Sequence, residues 1–160
     1  MKIEERMKAK GLYVPQAAKP PAGVVIPFSW ARAFGDRVHI SGHGPRGEDG
    51  MVMGPFGHVG AEVTPEQGVM AARLAMLSVI GSVKQLIGDL DRIAAWLRVE
   101  GYVLTAPGFD RTTSIVNGAS DLLLDIFGPE IGAHARTAMG VAATPLSCPV
   151  VIAAEIAVRD

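Results

Sequence analysis

Residues 132–145 read GAHARTAMGVAATP, and Arg136 stands among residues too small to cover it. A guanidinium keeps its proton at physiological pH, and its planar fork suits a carboxylate or a phosphate. Two arrangements fit this placement. Either Arg136 pairs with an acid such as Glu130 or Glu155, or it lines a pocket where small neighbours leave room for an anionic ligand. Spacing alone leaves both open.

Other residues with chemical potential are few. GHGPRG, Gly42–Gly47, has the spacing of a dinucleotide-binding loop. That motif must open a helix onto the pyrophosphate, whereas Pro45, Gly47 and Asp49–Gly50 continue a loop. There is no P-loop signature. His39 and His43 are four apart, but on a strand and a loop and not on one helix face. No cysteine or second carboxylate sits near His39, His43, His58 or His134 at metal-ligand spacing, so no metal is expected. Cys148 is the only cysteine, which excludes an internal disulfide and fits a reducing compartment. No histidine lies close to it in sequence, and it reads as a small buried residue. Ser41 before Gly42 suits a turn. Asn117 beside Gly118 is a poor pair for an undisturbed helix and points to a packing or site role. Trp30 and Trp96 read as core or interface aromatics, and Phe28 suits core and pocket wall equally.

These residues must be positioned by an ordinary globular chain. It has 160 residues, 49% of them hydrophobic, enough for one domain with a real core. A formal net charge of −1 offers no basic surface for nucleic acid. The N-terminus MKIEERMKAKG lacks a secretory apolar region. No uninterrupted apolar run approaches the roughly 20 residues of a membrane helix. A cytoplasmic protein with no membrane or nucleic-acid partner is expected.

Residues 1–25 read as a short helix, with Ile3 and Met7 on one face and Gly11 as its stop, then a proline-rich extended lead-in. FSWARAFGDRVHISG reads as a hairpin, with Phe28, Trp30 and Arg32 alternating before a turn at Gly35–Asp36. The following loop carries one short strand around Met51 to Met53. Thr64, Pro65 and Gln67 open a helix through a capping box. Val69, Met70, Leu74, Leu77, Ile80 and Ile87 mark its apolar face, and Gly88 stops it. Ile93, Ala95, Leu97 and Val99 alternate with Ala94, Trp96, Arg98 and Glu100 in a strand. A second helix spans Phe109 to Phe127 and ends at Gly128. CPVVIAAEIAVRD closes the chain as a strand interrupted only by Glu155. The order predicts an α+β fold with two helices on one face of a mixed sheet. The last strand is apolar on both faces, so burial of the second face by self-association is expected.

VHISGHGP, GDLDRI, VNGASDLLLDIFG, HARTAMGVAATPL and PVVIAAEIAV follow one another as in the Rid proteins. These are the reactive enamine/imine deaminases, also labelled endoribonuclease L-PSP-like. The resemblance runs from Phe28 to Val158 and is to the branch with longer loops. It implies a chorismate-mutase-like fold and a homotrimer with a central barrel and a ligand pocket at each subunit junction. It implies hydrolysis of a 2-imino acid to a 2-oxo acid and ammonia, without metal or organic cofactor. In that pattern Arg136 grips the carboxylate, Ser41, Gly42 and Asn117 line the pocket, and Ala138 replaces a cysteine of some members. Phe28 stands where a tyrosine is usual. Val151 and Ala153 stand where the last strand usually carries glutamates, with Glu155 further along. Anchoring a carboxylate is uniform binding, while imine hydrolysis needs a positioned water and proton transfer. The expectation is a protein that binds small carboxylates, with deaminase activity weak or altered. The alternative is a non-catalytic ligand sensor or partner protein on the same fold, with endoribonuclease a distant third.

Overall fold

Thr64 starts the longest helix. Its hydroxyl accepts from Gln67 N–H at 3.1 Å, and Gln67 Oε1 accepts from Thr64 N–H at 2.9 Å. This is the expected capping box, with Pro65 in the first turn. The computed structural model describes residues 2–160; Met1, included in the helix read above, lies outside the described residues. The elements follow in the order α1 (Lys2–Ala9), β1 (Ala31–Phe34), β2 (Arg37–His43), α2 (Pro65–Ile87), β3 (Ile93–Leu104), α3 (Thr112–Ile131), β4 (Ala135–Val141) and β5 (Val150–Val158).

One sheet runs β1-β2-β5-β3-β4. β4 lies parallel to β3 at the edge, and every other pairing is antiparallel. The α2 and α3 helices cover one face, as expected, around a core that includes Met76, Ile80, Trp96, Val99, Leu122 and Ile152. On β5, Val150, Ile152, Ala154 and Ile156 are buried on the helix side, while Val151, Ala153, Glu155 and Ala157 are half-buried on the other.

The apolar face of α2 differs from the expectation. Leu77, Ile80 and Ile87 turn inward, but Val69 and Met70 are exposed, and Ala71, Ala72 and Ala75 are buried in their place. Small residues face inward because neighbours press close: a Cβ on Gly81 would lie 2.5 Å from the Pro15 carbonyl oxygen. By length and composition α2 could cross a membrane, but most of that stretch is buried inside this fold.

Two strands also depart from a simple pattern. The register of β3 shifts between Ile93 and Ala95 and between Trp96 and Arg98. The bulges turn Ile93, Trp96 and Val99 inward together, breaking strict alternation. β4 has no counterpart in the sequence reading, because ARTAMGV is poor in branched and aromatic residues. The strand expected near Met51–Met53 is a single bridge between Arg46 and Val52.

The remaining elements follow the chain chemistry. Gly35 takes a positive φ of 61° at the hairpin turn. Regular pairing begins only at Ala31, so Phe28 and Trp30 belong to the lead-in. α1 buries Ile3 and Met7, and its first amides, Lys2 and Ile3, donate to the Asp91 carboxylate at 2.8 and 2.9 Å. Helical geometry in α3 lapses at Gly128, the predicted stop, before Pro129 begins a further turn.

Candidate functional site

Arg136 lies on β4 in register with buried Val99, so its side chain rises on the helix side against α3. Nη1 donates to Asn117 Oδ1 at 2.8 Å and to Ser120 Oγ at 3.0 Å; Nη2 donates to the Thr113 carbonyl at 3.3 Å. All three acceptors are neutral. Glu155 instead accepts from Arg37 Nη1 at 3.0 Å on the far side of the sheet. The ion-pair alternative with Glu155 is thereby excluded.

A second layer orients the first. His134 Nδ1 lies 2.7 Å from the Gly132 carbonyl, and its Nε2 lies 2.8 Å from Ser120 Oγ. A carbonyl only accepts, so Nδ1 carries a proton, and in the neutral ring Nε2 accepts from the serine hydroxyl. The lone pairs of Ser120 are then turned to Arg136. Asn117 owes its position to its neighbour: a Cβ on Gly118 would lie 2.2 Å from the Val69 carbonyl oxygen. The glycine lets α3 approach α2, and the asparagine beside it reaches the arginine. Sequence reasoning singled out Asn117 but missed Ser120 and His134. Ser120 lies on α3 and His134 in the link before β4, so no period of a single element connects them. Ala138, two residues beyond Arg136, shares its side and sits opposite Gly101.

Phe28, Ser41, Gly42 and Val151 form a separate group. Phe28 is 51% exposed and meets Trp30 edge-to-face at 5.3 Å. The Ser41 hydroxyl donates to the Ser29 carbonyl at 2.7 Å, which commits its proton to the protein. A Cβ on Gly42 would lie 2.9 Å from Val151 Cγ1, so the two are in close contact. Phe28, Gly42 and Val151 line a cavity of about 290 Å³ together with Trp30, Arg46 and Cys148. Its walls are apolar apart from Arg46.

A larger hollow of about 560 Å³ lies on the open sheet face, lined by Ser41, His39, Arg98, Glu100 and Glu155 among others. Its charges are largely paired, apart from the exposed Arg32. Arg98 Nε donates to Glu100 at 3.2 Å, the Tyr102 hydroxyl donates to Glu100 at 3.0 Å, and Glu155 holds Arg37. The bond to Glu100 raises the Tyr102 pKa. The smaller cavity is the better ligand candidate, because its one charge, Arg46, is buried and has no carboxylate to meet it among the described residues.

His43 supports that cavity from behind. Its Nδ1 lies 2.6 Å from the Ser41 carbonyl and its Nε2 lies 2.8 Å from Ser82 Oγ, which also accepts from Ala18 N–H at 3.2 Å. Burial pulls its pKa to about 4, with the Ser41 carbonyl opposing and Arg46 assisting. The ring is neutral at pH 7 and ties β2, α2 and the lead-in together. Burial raises the Cys148 pKa, which keeps the thiol protonated, as the sequence reading expects of a small buried residue.

The two groups do not meet within one chain. β3 separates Arg136 on β4 from Val151 on β5, and β2 with Ser41 and Gly42 lies one strand further. At about 4.8 Å per strand, the separation is roughly 10 to 14 Å. Val151 is in register with Tyr102 on the open face, whereas Arg136 is on the helix face.

The chain is thus an α+β fold of two helices on one face of a mixed sheet, with an arginine on the edge strand and an apolar cavity two strands away. The family model described as "YjgF/chorismate mutase-like, putative endoribonuclease" matches residues 4–156. Protein TCP17 of Trypanosoma cruzi is 33% identical over 159 residues, covering 99% of this chain and 96% of that protein. A solved structure from Shewanella oneidensis MR-1, described as a putative endoribonuclease, is 31% identical with TM-score 0.88, covering 98% of this chain and 99% of the other. The Atu1372 protein of Agrobacterium tumefaciens is also 31% identical, with TM-score 0.84, covering 99% and 93%. The chain belongs to the YjgF/chorismate mutase-like family, to which its Rid-like motifs pointed.

Proposed function

We propose that this protein binds small 2-oxo or 2-imino carboxylates in a cleft between two copies of the chain, within a homotrimer. Arg136 of one copy clasps the carboxylate, and the Phe28–Gly42–Val151 cavity of the next holds the rest of the ligand. One observation carries this reading: the Arg136 guanidinium is oriented by three neutral acceptors and neutralised by none. A charge held in that way retains its Coulombic attraction for an incoming anion.

Turnover of imines by this site is weak. Val151 brings no carboxylate to the cavity, and Ser41 has already committed its proton. Glu100 is opposite Ala153 across the strands, but Arg98 and Tyr102 hold it. Binding without efficient hydrolysis favours a ligand-sensing role over a fast deaminase. RNA cleavage finds no support in the charge balance.

Titration calorimetry with pyruvate and 2-oxobutyrate tests the binding. Saturable binding that disappears in Arg136→Ala supports the reading, and equal binding by that variant contradicts it. Generating 2-aminoacrylate in the assay and following pyruvate and ammonia tests turnover. A rate far above solvent hydrolysis would contradict the sensing role.

A further inference from the structure

Arg46 is a buried arginine that the reading above does not use. It is 6% exposed and lines the 290 Å³ cavity. Nη1 donates to the Lys19 and Gly50 carbonyls at 2.6 and 2.9 Å. Nε is buried with no acceptor, and Nη2 has none among the described residues. The Nε and Nη2 hydrogens form one edge of the guanidinium, the edge that chelates a carboxylate side-on. No described carboxylate forms an ion pair with this guanidinium. Its flat face lies over Trp30, with Cζ 4.9 Å from the ring centroid. The thiol of Cys148 is the ionisable group that acts on it most, and burial keeps that thiol protonated.

A buried cation with three of its five N–H donors idle is costly unless an anion joins it. The loop around it is built to keep it there. Gly50 has a φ of 80°, and a Cβ on it would lie 2.3 Å from the Ala17 carbonyl oxygen. The Arg46 side chain ties this loop and the lead-in to the cavity wall.

We infer that Arg46 receives a second acidic group of the ligand, so that the site selects 2-oxo or 2-imino dicarboxylates over monocarboxylates of the same length. The inference rests on the reading above, in which Arg136 of the neighbouring copy takes the first carboxylate. The apolar walls contributed by Phe28, Trp30 and Val151 then enclose the methylenes between the two acidic ends. A site with a buried fork discriminates strongly against a ligand that leaves the fork unpaired.

Calorimetry with 2-oxoglutarate and 2-oxopentanoate tests this directly, because the two differ only by a terminal carboxylate in place of a methyl. The wild-type chain is expected to bind 2-oxoglutarate roughly tenfold tighter or more. Arg46→Gln is expected to lose that preference, and Arg46→Lys, which keeps the charge without the fork, to retain only part of it. Circular dichroism checks that each variant is folded. The wild-type comparison stands alone if neither variant folds. Equal or tighter binding of 2-oxopentanoate by the wild type overturns the inference and leaves the carboxylate site intact. A preference that survives in folded Arg46→Gln also overturns it. Failure of both acids to bind overturns this inference and the proposed function together.

Discussion

Acidification should unpin the cavity through His43 before it disturbs the rest of the fold. The imidazole is fully buried and held at a pKa of about 4, against 6.5 for the free side chain. Unfolded chains take up a proton near pH 6.5 and folded chains only near pH 4, so stability is complete above pH 6.5 and falls across that interval. Between pH 7 and pH 5 the loss from this one group is about 2 kcal/mol, approaching roughly 3 kcal/mol below pH 4. Asp91 acts in a separate window. Burial opposes its ionisation, but hydrogen bonds to the carboxylate, among them those from the Lys2 and Ile3 amides, outweigh this and bring its pKa from 3.8 to about 2. Urea unfolding at pH 7, 6 and 5, compared with His43→Gln, isolates the histidine. The wild type should lose about 2 kcal/mol more than the variant over this range. Parallel pH profiles for the two proteins would refute the assignment of a neutral, buried His43.

Three further outcomes follow from the geometry. Gly118→Ala should destabilise by about 1 to 3 kcal/mol in urea, because overpacking against the Val69 carbonyl exceeds the roughly 1 kcal/mol that alanine adds to a helix. Asn117→Ala should weaken pyruvate binding about tenfold in calorimetry while leaving the fold intact, since Arg136 loses its 2.8 Å anchor. Val151→Glu should raise 2-aminoacrylate hydrolysis by at least about tenfold in the pyruvate-release assay, because a carboxylate in the cavity supplies the missing proton transfer.

The sequence disclosed most of the elements, because capping and punctuation are local. Thr64 with Gln67, Gly11, Gly88 and Gly128 mark helix ends through their own backbone chemistry. It concealed what depends on neighbours. The inward face of α2 is set by how close the lead-in and α3 come, so alanines displace Val69 and Met70 from the core. β4 is a strand because β3 lies beside it, although its own residues have little strand preference. Arg136 and Asn117 were legible as a pair through family resemblance, and the structure joins them. Ser120 and His134 became visible only when β4 met α3. Arg46 lay inside a motif whose glycine spacing suggested another chemistry altogether. Its isolation shows only once its acceptors are counted in space.

The central claim is that Arg136 of one copy and the Val151 cavity of another make a single site. Co-expressing two differently tagged variants, Arg136→Ala and the cavity-filling Val151→Phe, tests it most directly. Each variant alone should fail to bind 2-oxo acids. Randomly mixed trimers purified through both tags should regain binding at about one third of their sites, because every mixed ring has one junction where an intact arginine faces an intact cavity. Mixed oligomers that bind no more than the separate variants would contradict the account.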